Sequence, residues 1–246
     1  MNTLLLLMGG SGTRMGAAVP KQFLVVDKKP VYYYIVEQYA KLPEIGAICI
    51  VCPKEWLQSV KTAVEAISFS GNLIVAEGGA TRSHSVRNGL KAIESFSADS
   101  DVILLHDATH PYCDEPAIRK VIETVQQGSG ATVGACQYDT CYQIDAGNIL
   151  RNVIPRQEIV SGASPESFQY GDLKRIYFNA TDEELVGMTS AGALALAHNI
   201  PMKVIPTKVL NLKLTYPEDF ALFQLLYNNY FFQGDKVVCR CRSCKK

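Results

Sequence analysis

The sequence has no long hydrophobic run, no surplus of charge of either sign, no internal repeat and no low-complexity tract. Each absence excludes something. Its 24 Lys and Arg balance 24 Asp and Glu, which argues against an obligatory nucleic-acid binder while allowing a local basic site. No stretch reaches the roughly 18 apolar residues of a membrane span. The run Leu4 to Met8 is too short for a signal-peptide core, and no basic segment precedes it. The expectation is a cytosolic protein that binds neither nucleic acid nor membrane. No Ser-His-Asp order, zincin motif or kinase motif set is present.

Cysteine is not scarce, at 8 residues, but its spacing is unhelpful for metal. Cys49 and Cys52 form a CxxC inside AICIVC, and residues three apart on a strand face opposite ways. Cys239, Cys241 and Cys244 crowd the tail without paired CxxC spacing, so residues 233–246 read as a flexible, reduced Cys-rich and basic tail.

At 246 residues the chain suits one large α/β domain, here residues 1–232. TLLLLM, GAICIVCP, NLIVAE, DVILLHDA and GATVGACQ read as short apolar strands. VYYYIVEQYAKL, KEWLQSVKTAVEAI, SVRNGLKAIESF and EPAIRKVIETVQQG read as helices between them. That alternation predicts a mostly parallel sheet with helices on both faces. Ligands in such sheets bind beyond the carboxyl ends of the strands. From about 138 to 168 the rhythm breaks, and two extended pieces around the turn DAGN predict a protruding β-arm. Beyond it, a helix is expected over roughly 182–198, strands at MKVIP and LNLKLT, and a last helix PEDFALFQLLYNNYF with proline in its first turn.

Four stretches after strands carry candidate chemistry. GGSGTRMG is glycine-rich but fits neither familiar nucleotide loop. A Walker loop needs GxxxxGK[ST], and a dinucleotide fingerprint needs GxGxxG; Gly10, Gly12 and Gly16 give GxGxxxG instead. The loop continues into PKQF, so Arg14 and Lys21 flank it. GGATRSHSVRNGL offers Gly78 and Gly79 for close backbone approach, Ser83 or Ser85 as a helix cap, and exposed N–H groups beside Arg82. In HDATHP, Asp107 at the end of a buried strand is a candidate Mg²⁺ ligand, because Mg²⁺ needs few protein carboxylates when substrate phosphates complete its shell. His106 and His110 fit structural and catalytic roles equally. In NLKLTYPEDF, Lys213 either faces solvent or reaches phosphate. Three cation-bearing loops, one carboxylate and two glycine-rich turns together suit a nucleoside triphosphate with Mg²⁺.

In this order, GGSGTRMG…PKQF, GGATRSHSVRNGL, HDATHP, YDT and NLKLTYPEDF resemble the 2-C-methyl-D-erythritol 4-phosphate cytidylyltransferases and the related ribitol-5-phosphate cytidylyltransferases. The resemblance runs from Thr3 to about Tyr230. It implies a Rossmann-like α/β sheet of the nucleotide-diphospho-sugar transferase type and a homodimer with interlocked arms. It implies transfer of CMP from CTP to a polyol phosphate, with Mg²⁺ or another divalent cation on Asp107. Arg14, Lys21 and Lys213 would be catalytic, gripping the phosphates. Gly9, Gly10, Gly12, Gly79, Arg82 and Ser85 would hold the nucleotide. His110, Thr140, Arg156 and Ser164 match acceptor positions, with Thr140 and Arg156 reaching the partner's site.

The acceptor half departs from the family pattern. His110 and Tyr138 stand where arginines are usual, SPE (Ser164 to Glu166) replaces TPQ and brings a negative charge toward the pocket, and Leu210 replaces an acidic residue. The expectation is an acceptor other than methylerythritol phosphate, or one held differently. A non-catalytic nucleotide-binding homologue is the alternative on the same scaffold. An NAD(P)-dependent reductase is disfavoured by the glycine spacing.

Overall fold

The computed structural model describes residues 1–9, 19–187 and 190–227. Gly10, Gly12, Arg14 and the cysteine-rich tail lie outside the described residues. Eleven strands are described: β1 (Asn2–Leu7), β2 (Val25–Val26), β3 (Lys29–Pro30), β4 (Ala47–Cys52), β5 (Asn72–Glu77), β6 (Val102–Asp107), β7 (Gly130–Cys136), β8 (Cys141–Ile144), β9 (Leu150–Ile154), β10 (Val160–Gln169) and β11 (Met202–Pro206). The helices are α1 (Val31–Ala40), α2 (Leu57–Val64), α3 (Arg82–Ala92), α4 (Glu115–Gln126), α5 (Tyr170–Asn179), α6 (Asp182–Gly187), α7 (Ala191–Ala197) and α8 (Pro217–Leu226). None of the described helices is long and apolar enough to cross a membrane.

Seven strands form the central sheet in the order β11-β7-β10-β6-β1-β4-β5. All neighbours are parallel except β10, which runs antiparallel to both β6 and β7. The apolar runs in β1 and β4 are buried along nearly their whole length, as a strand covered on both faces must be. Alternation then divides the core. Leu4, Leu6, Ile48 and Ile50 pack under α1, α2 and α4. Leu5, Leu7, Cys49 and Val51 pack under α3, α5, α6 and α7. Cys49 and Cys52 therefore lie in different halves of the core, both as free thiols.

Four sequence expectations change. The arm ends earlier: β8 and β9 form the hairpin, while β10 belongs to the central sheet, with Phe168 buried at its centre. The expected helix over 182–198 is two helices, and Ser190 caps the second by accepting from the Ala193 N–H at 3.0 Å. LNLKLT is not a strand. Its alternation survives, with Leu212 and Leu214 in a third small core with Tyr34 and Phe223. The segment instead crosses the strand ends, held by the Leu214 N–H on the Thr109 carbonyl at 2.8 Å. The cap of α3 is Thr81, not Ser83 or Ser85, and its hydroxyl accepts from the His84 N–H at 3.3 Å.

A candidate active site at the strand ends

Parallel register brings the carboxyl ends of β1, β4, β5 and β6 to one edge, since Leu7 is level with Val51 and Asp107, and Cys52 with Glu77. Gly9, the turn at Gly78 and Gly79, and Asp107 leave the sheet there. Because β10 runs the other way, its early residues reach this same edge, with Glu166 level with Leu105. Its register shifts between Gly162 and Glu166. Such an irregularity frees residues from ladder pairing and re-aims them, and here it turns Ser164 toward Asp107.

A cavity of about 170 Å³ opens at that point, lined by Arg82, Asp107, His110, Ser164, Glu166 and Lys213, with Thr132, Ser190 and the backbone near Gly162 on its rim. Asp107 is its electrostatic centre. One carboxylate oxygen accepts from Arg82 Nε at 2.8 Å and the other from Lys213 Nζ at 3.4 Å. Burial works against ionisation of this carboxyl, but Arg82 and Lys213 outweigh it and hold its pKa at about 2. Burial likewise opposes the Arg82 charge, and Asp107 and Glu166 more than restore it. Arg82 also donates from Nη2 to Glu166 at 3.0 Å.

His106 and His110 occupy different roles. His106 is fully buried, with Nδ1 3.0 Å from the Tyr39 hydroxyl and Nε2 2.9 Å from the His110 carbonyl. A carbonyl only accepts, so Nε2 carries the proton and Nδ1 accepts from Tyr39. This histidine is a strut under the loop. His110 lines the cavity, with Nδ1 2.9 Å from Ser164 Oγ, which in turn accepts from the Asp107 N–H at 3.2 Å. Burial, then repulsion from His106 and from the Lys213 ammonium, depress the His110 pKa to about 3. It is a neutral imidazole, not a substitute cation.

The glycine turn is built for close approach. A Cβ on Gly79 would come within 2.4 Å of His84, and one on Gly78 within 3.1 Å of Ser85 Oγ. Ser85 accepts from the Gly79 N–H at 3.1 Å, fixing the turn over the start of α3. Lys21 opens a short 3-10 turn through Phe23. Gln22 anchors it by donating to the Met8 carbonyl at 2.6 Å, and Phe23 stacks on Trp56 with centroids 3.9 Å apart. The end of the loop is thereby tied to the end of β1.

The structure thus gathers Arg82, Asp107, His110, Ser164 and Lys213 in one cavity. It does not bring Thr140 or Arg156 there. Both are exposed on the arm, where Arg156 Nη1 donates to the Tyr138 carbonyl at 2.8 Å. Glu166 lines the cavity, as the SPE replacement implies, and Ser190 joins the rim with no sequence signal of its own. Among the described residues, no three His, Cys, Asp or Glu side chains gather as a metal set. Asp107 alone is a fitting donor for a cation whose remaining ligands come from phosphates.

A mostly parallel sheet with a charged cleft at its strand ends defines the class as a nucleotide-handling α/β enzyme, and solved structures share the fold. The synthase of 4-diphosphocytidyl-2C-methyl-D-erythritol from Anaerococcus prevotii superposes with a TM-score of 0.78 at 22% identity, covering 92% of this chain and 96% of that one. The family model described as "IspD: 2-C-methyl-D-erythritol 4-phosphate cytidylyltransferase" matches residues 3–229, and the chain belongs to this family of cytidylyltransferases. A ribitol-5-phosphate cytidylyltransferase of Streptococcus agalactiae serotype Ia is 28% identical over 229 residues, covering 93% of this chain and 96% of the relative. A 2-C-methyl-D-erythritol 4-phosphate cytidylyltransferase of Acidobacterium capsulatum is 30% identical over 227 residues, covering 89% and 94%.

Proposed function

We propose that the chain transfers CMP from CTP to a polyol phosphate whose hydroxyls are read by a neutral pocket, with ribitol 5-phosphate favoured over methylerythritol phosphate. The observation that carries this is the His110–Ser164 pair in the cavity wall. An uncharged imidazole and a hydroxyl match hydroxyl groups rather than charge; with one phosphate on each acceptor, ribitol 5-phosphate presents more free hydroxyls than methylerythritol phosphate, which presents a methyl branch instead.

In the reaction an acceptor phosphate oxygen forms the new bond to the α-phosphorus of CTP. The bond to the bridging oxygen breaks opposite, and pyrophosphate departs with the electron pair. The nucleophile is already anionic, so the chain supplies charge stabilisation and alignment rather than a strong base. Lys213, the most exposed cation on Asp107, is placed to turn to phosphate. Arg14 and Lys21 take the triphosphate in this reading, and Gly9, Gly10, Gly12, Gly79 and Ser85 take the nucleotide. Asp107 would hold Mg²⁺, which supplies further charge neutralisation on the phosphates when bound.

The arm completes a second copy's site. Tyr142, Ile144, Ile149, Leu150 and Val153 expose apolar surface on an isolated hairpin, and two strands alone are marginal in water. A homodimer that buries this face would bring Thr140 and Arg156 to the partner's acceptor phosphate. A pyrophosphate-release assay with CTP, Mg²⁺ and a panel of ribitol, methylerythritol and glycerol phosphates tests the reading. Ribitol 5-phosphate should give the highest kcat/KM. Equal or better turnover of methylerythritol phosphate refutes the acceptor assignment, and no release with any acceptor leaves a nucleotide-binding protein.

A further inference from the structure

Glu166 is engaged by three donors from two distant parts of the chain. Arg82 Nη2 lies 3.0 Å and the Ala191 N–H 3.2 Å from one carboxylate oxygen, and the Gly192 N–H lies 2.9 Å from the other. The side chain is largely buried at the cavity wall. Gly192 accommodates this approach, since a Cβ there would stand 3.1 Å from Glu166 Oε1 and 3.3 Å from Met202 Sδ. Glu166 itself is fixed by strand pairing to both neighbours, Leu105 on β6 and Thr132 on β7.

From this geometry we infer that Glu166 is a positioning residue: it holds the Arg82 guanidinium on Asp107 and, with the same carboxylate, docks the first turn of α7 against the cavity. The four charged groups alternate, Glu166 to Arg82 to Asp107 to Lys213, so each cation touches a carboxylate. Without Glu166, Arg82 loses its Nη2 partner. Its Nη1 has no partner among the described residues, so Nε on Asp107 would be its remaining tether. A carboxylate accepts on both oxygens, while an amide offers one acceptor and one donor. Glutamine at 166 therefore sets its NH₂ against either Arg82 or the α7 backbone donors. Docking of α7 also places Ser190, at the start of that helix, on the cavity rim.

The kinetic half of the test rests on the cytidylyltransferase reading, and the spectroscopic half does not. Glu166→Gln should lower kcat with the best acceptor roughly tenfold, the size of coupling between contacting charged groups, while the melting temperature stays within about 3 °C. In an Arg82→Lys background the same substitution should lower kcat by a smaller factor than in the wild type, because the part of its effect that passes through Arg82 is already lost. The Arg82 Nε–H resonance, assigned by its loss in Arg82→Lys, should exchange with solvent roughly tenfold faster in Glu166→Gln. Unchanged exchange of that proton overturns the inference whether or not the enzyme turns over. Wild-type kcat in Glu166→Gln, or an undiminished loss in the Arg82→Lys background, overturns it as well. If wild-type protein releases no pyrophosphate from any acceptor, the functional reading fails and the exchange measurement alone decides Glu166.

Discussion

The strand-end site and the arm are built on opposite plans. At the strand ends, groups from remote parts of the chain hold one another: Arg82 reaches Asp107, Glu166 reaches Arg82, and Ser164 joins His110 to the Asp107 backbone. These contacts are buried and mutually dependent. On the arm, hydrogen bonding is local. Asp145 accepts from the Gly147 and Ile149 N–H groups at 2.9 and 3.0 Å and pairs with Arg151 nearby. Its apolar side chains face outward, and Tyr138 at its base is 83% exposed. The contacts of the first region close on one another, whereas the second leaves an apolar face uncovered.

That contrast is broken most sharply at its centre. Asp107→Asn removes the negative charge shared by Arg82 and Lys213, leaving two cations against each other. We expect kcat to fall at least roughly a hundredfold, as when a preorganised electrostatic group is lost, measured as pyrophosphate release at saturating CTP. Retention of more than about a tenth of wild-type turnover would mean that the charge network is structural.

The arm yields a smaller effect with a cleaner geometry. Arg156→Ala should raise the acceptor KM roughly tenfold with little change in that for CTP, the loss of one charge-assisted contact. If arms work in trans, Asp107→Asn and Arg156→Ala subunits complement. In a mixed dimer one site has an intact Asp107 and an intact partner arm, so an equal mixture, assayed well below the acceptor KM, should recover about a quarter of the wild-type kcat/KM for the acceptor. Activity no greater than the mean of the two parents would place the arm on its own chain's site.

Burial should also make the two regions differ in acid. His106 and His110 have pKa values depressed by burial to about 4 and about 3, against about 6.5 in the unfolded chain. Between about 6.5 and 4 the unfolded chain binds protons that the folded chain does not, so stability falls as pH falls. The slope approaches ~1.4 kcal/mol per pH unit for each histidine. Asp107, held at about 2, adds to the loss only below its unfolded value near 3.8, with the same sign. Urea melts from pH 7.5 to 5 should show this decline, and His106→Gln should reduce its slope while Arg156→Ala leaves it unchanged. A flat profile over that range would show that the histidines protonate in the folded protein.

What the sequence made legible follows the same division. Parallel strands announce themselves as apolar runs, and their ends carry Gly79, Arg82 and Asp107 as expected. The antiparallel insertion of β10 is invisible in composition, because VSGASPESFQ is polar where it lines the cavity and apolar only near Phe168. The sequence therefore implies a longer arm than the structure has, and the partnership of Glu166 with Arg82, 84 residues apart, has no local signature. Lys213 was placed on the polar face of an alternating segment correctly, but alternation cannot distinguish a paired strand from a chain pinned to a core by Leu212 and Leu214. The cap at Thr81 is hidden in the sequence because three hydroxyl residues crowd that turn, and only backbone geometry selects one.

That cap supports the smallest and most discriminating comparison. Thr81→Ala and Asp145→Ala each remove a side chain that satisfies backbone N–H groups at a turn. Thr81 starts α3, which packs Val86 and Leu90 into the core beneath the site, so its loss should be felt by the whole domain. We expect about 1 kcal/mol, a fall of roughly 2–4 °C in melting temperature. Asp145 serves a hairpin with no core of its own, and such an element opens locally without unfolding the rest. Its removal should shift the melt by less than about 1 °C while hydrogen exchange accelerates over Cys141–Ile154. An Asp145→Ala shift as large as that of Thr81→Ala would mean that the hairpin unfolds with the domain, as it would where a partner's surface already covers it, and running the melts across protein concentration separates those two cases.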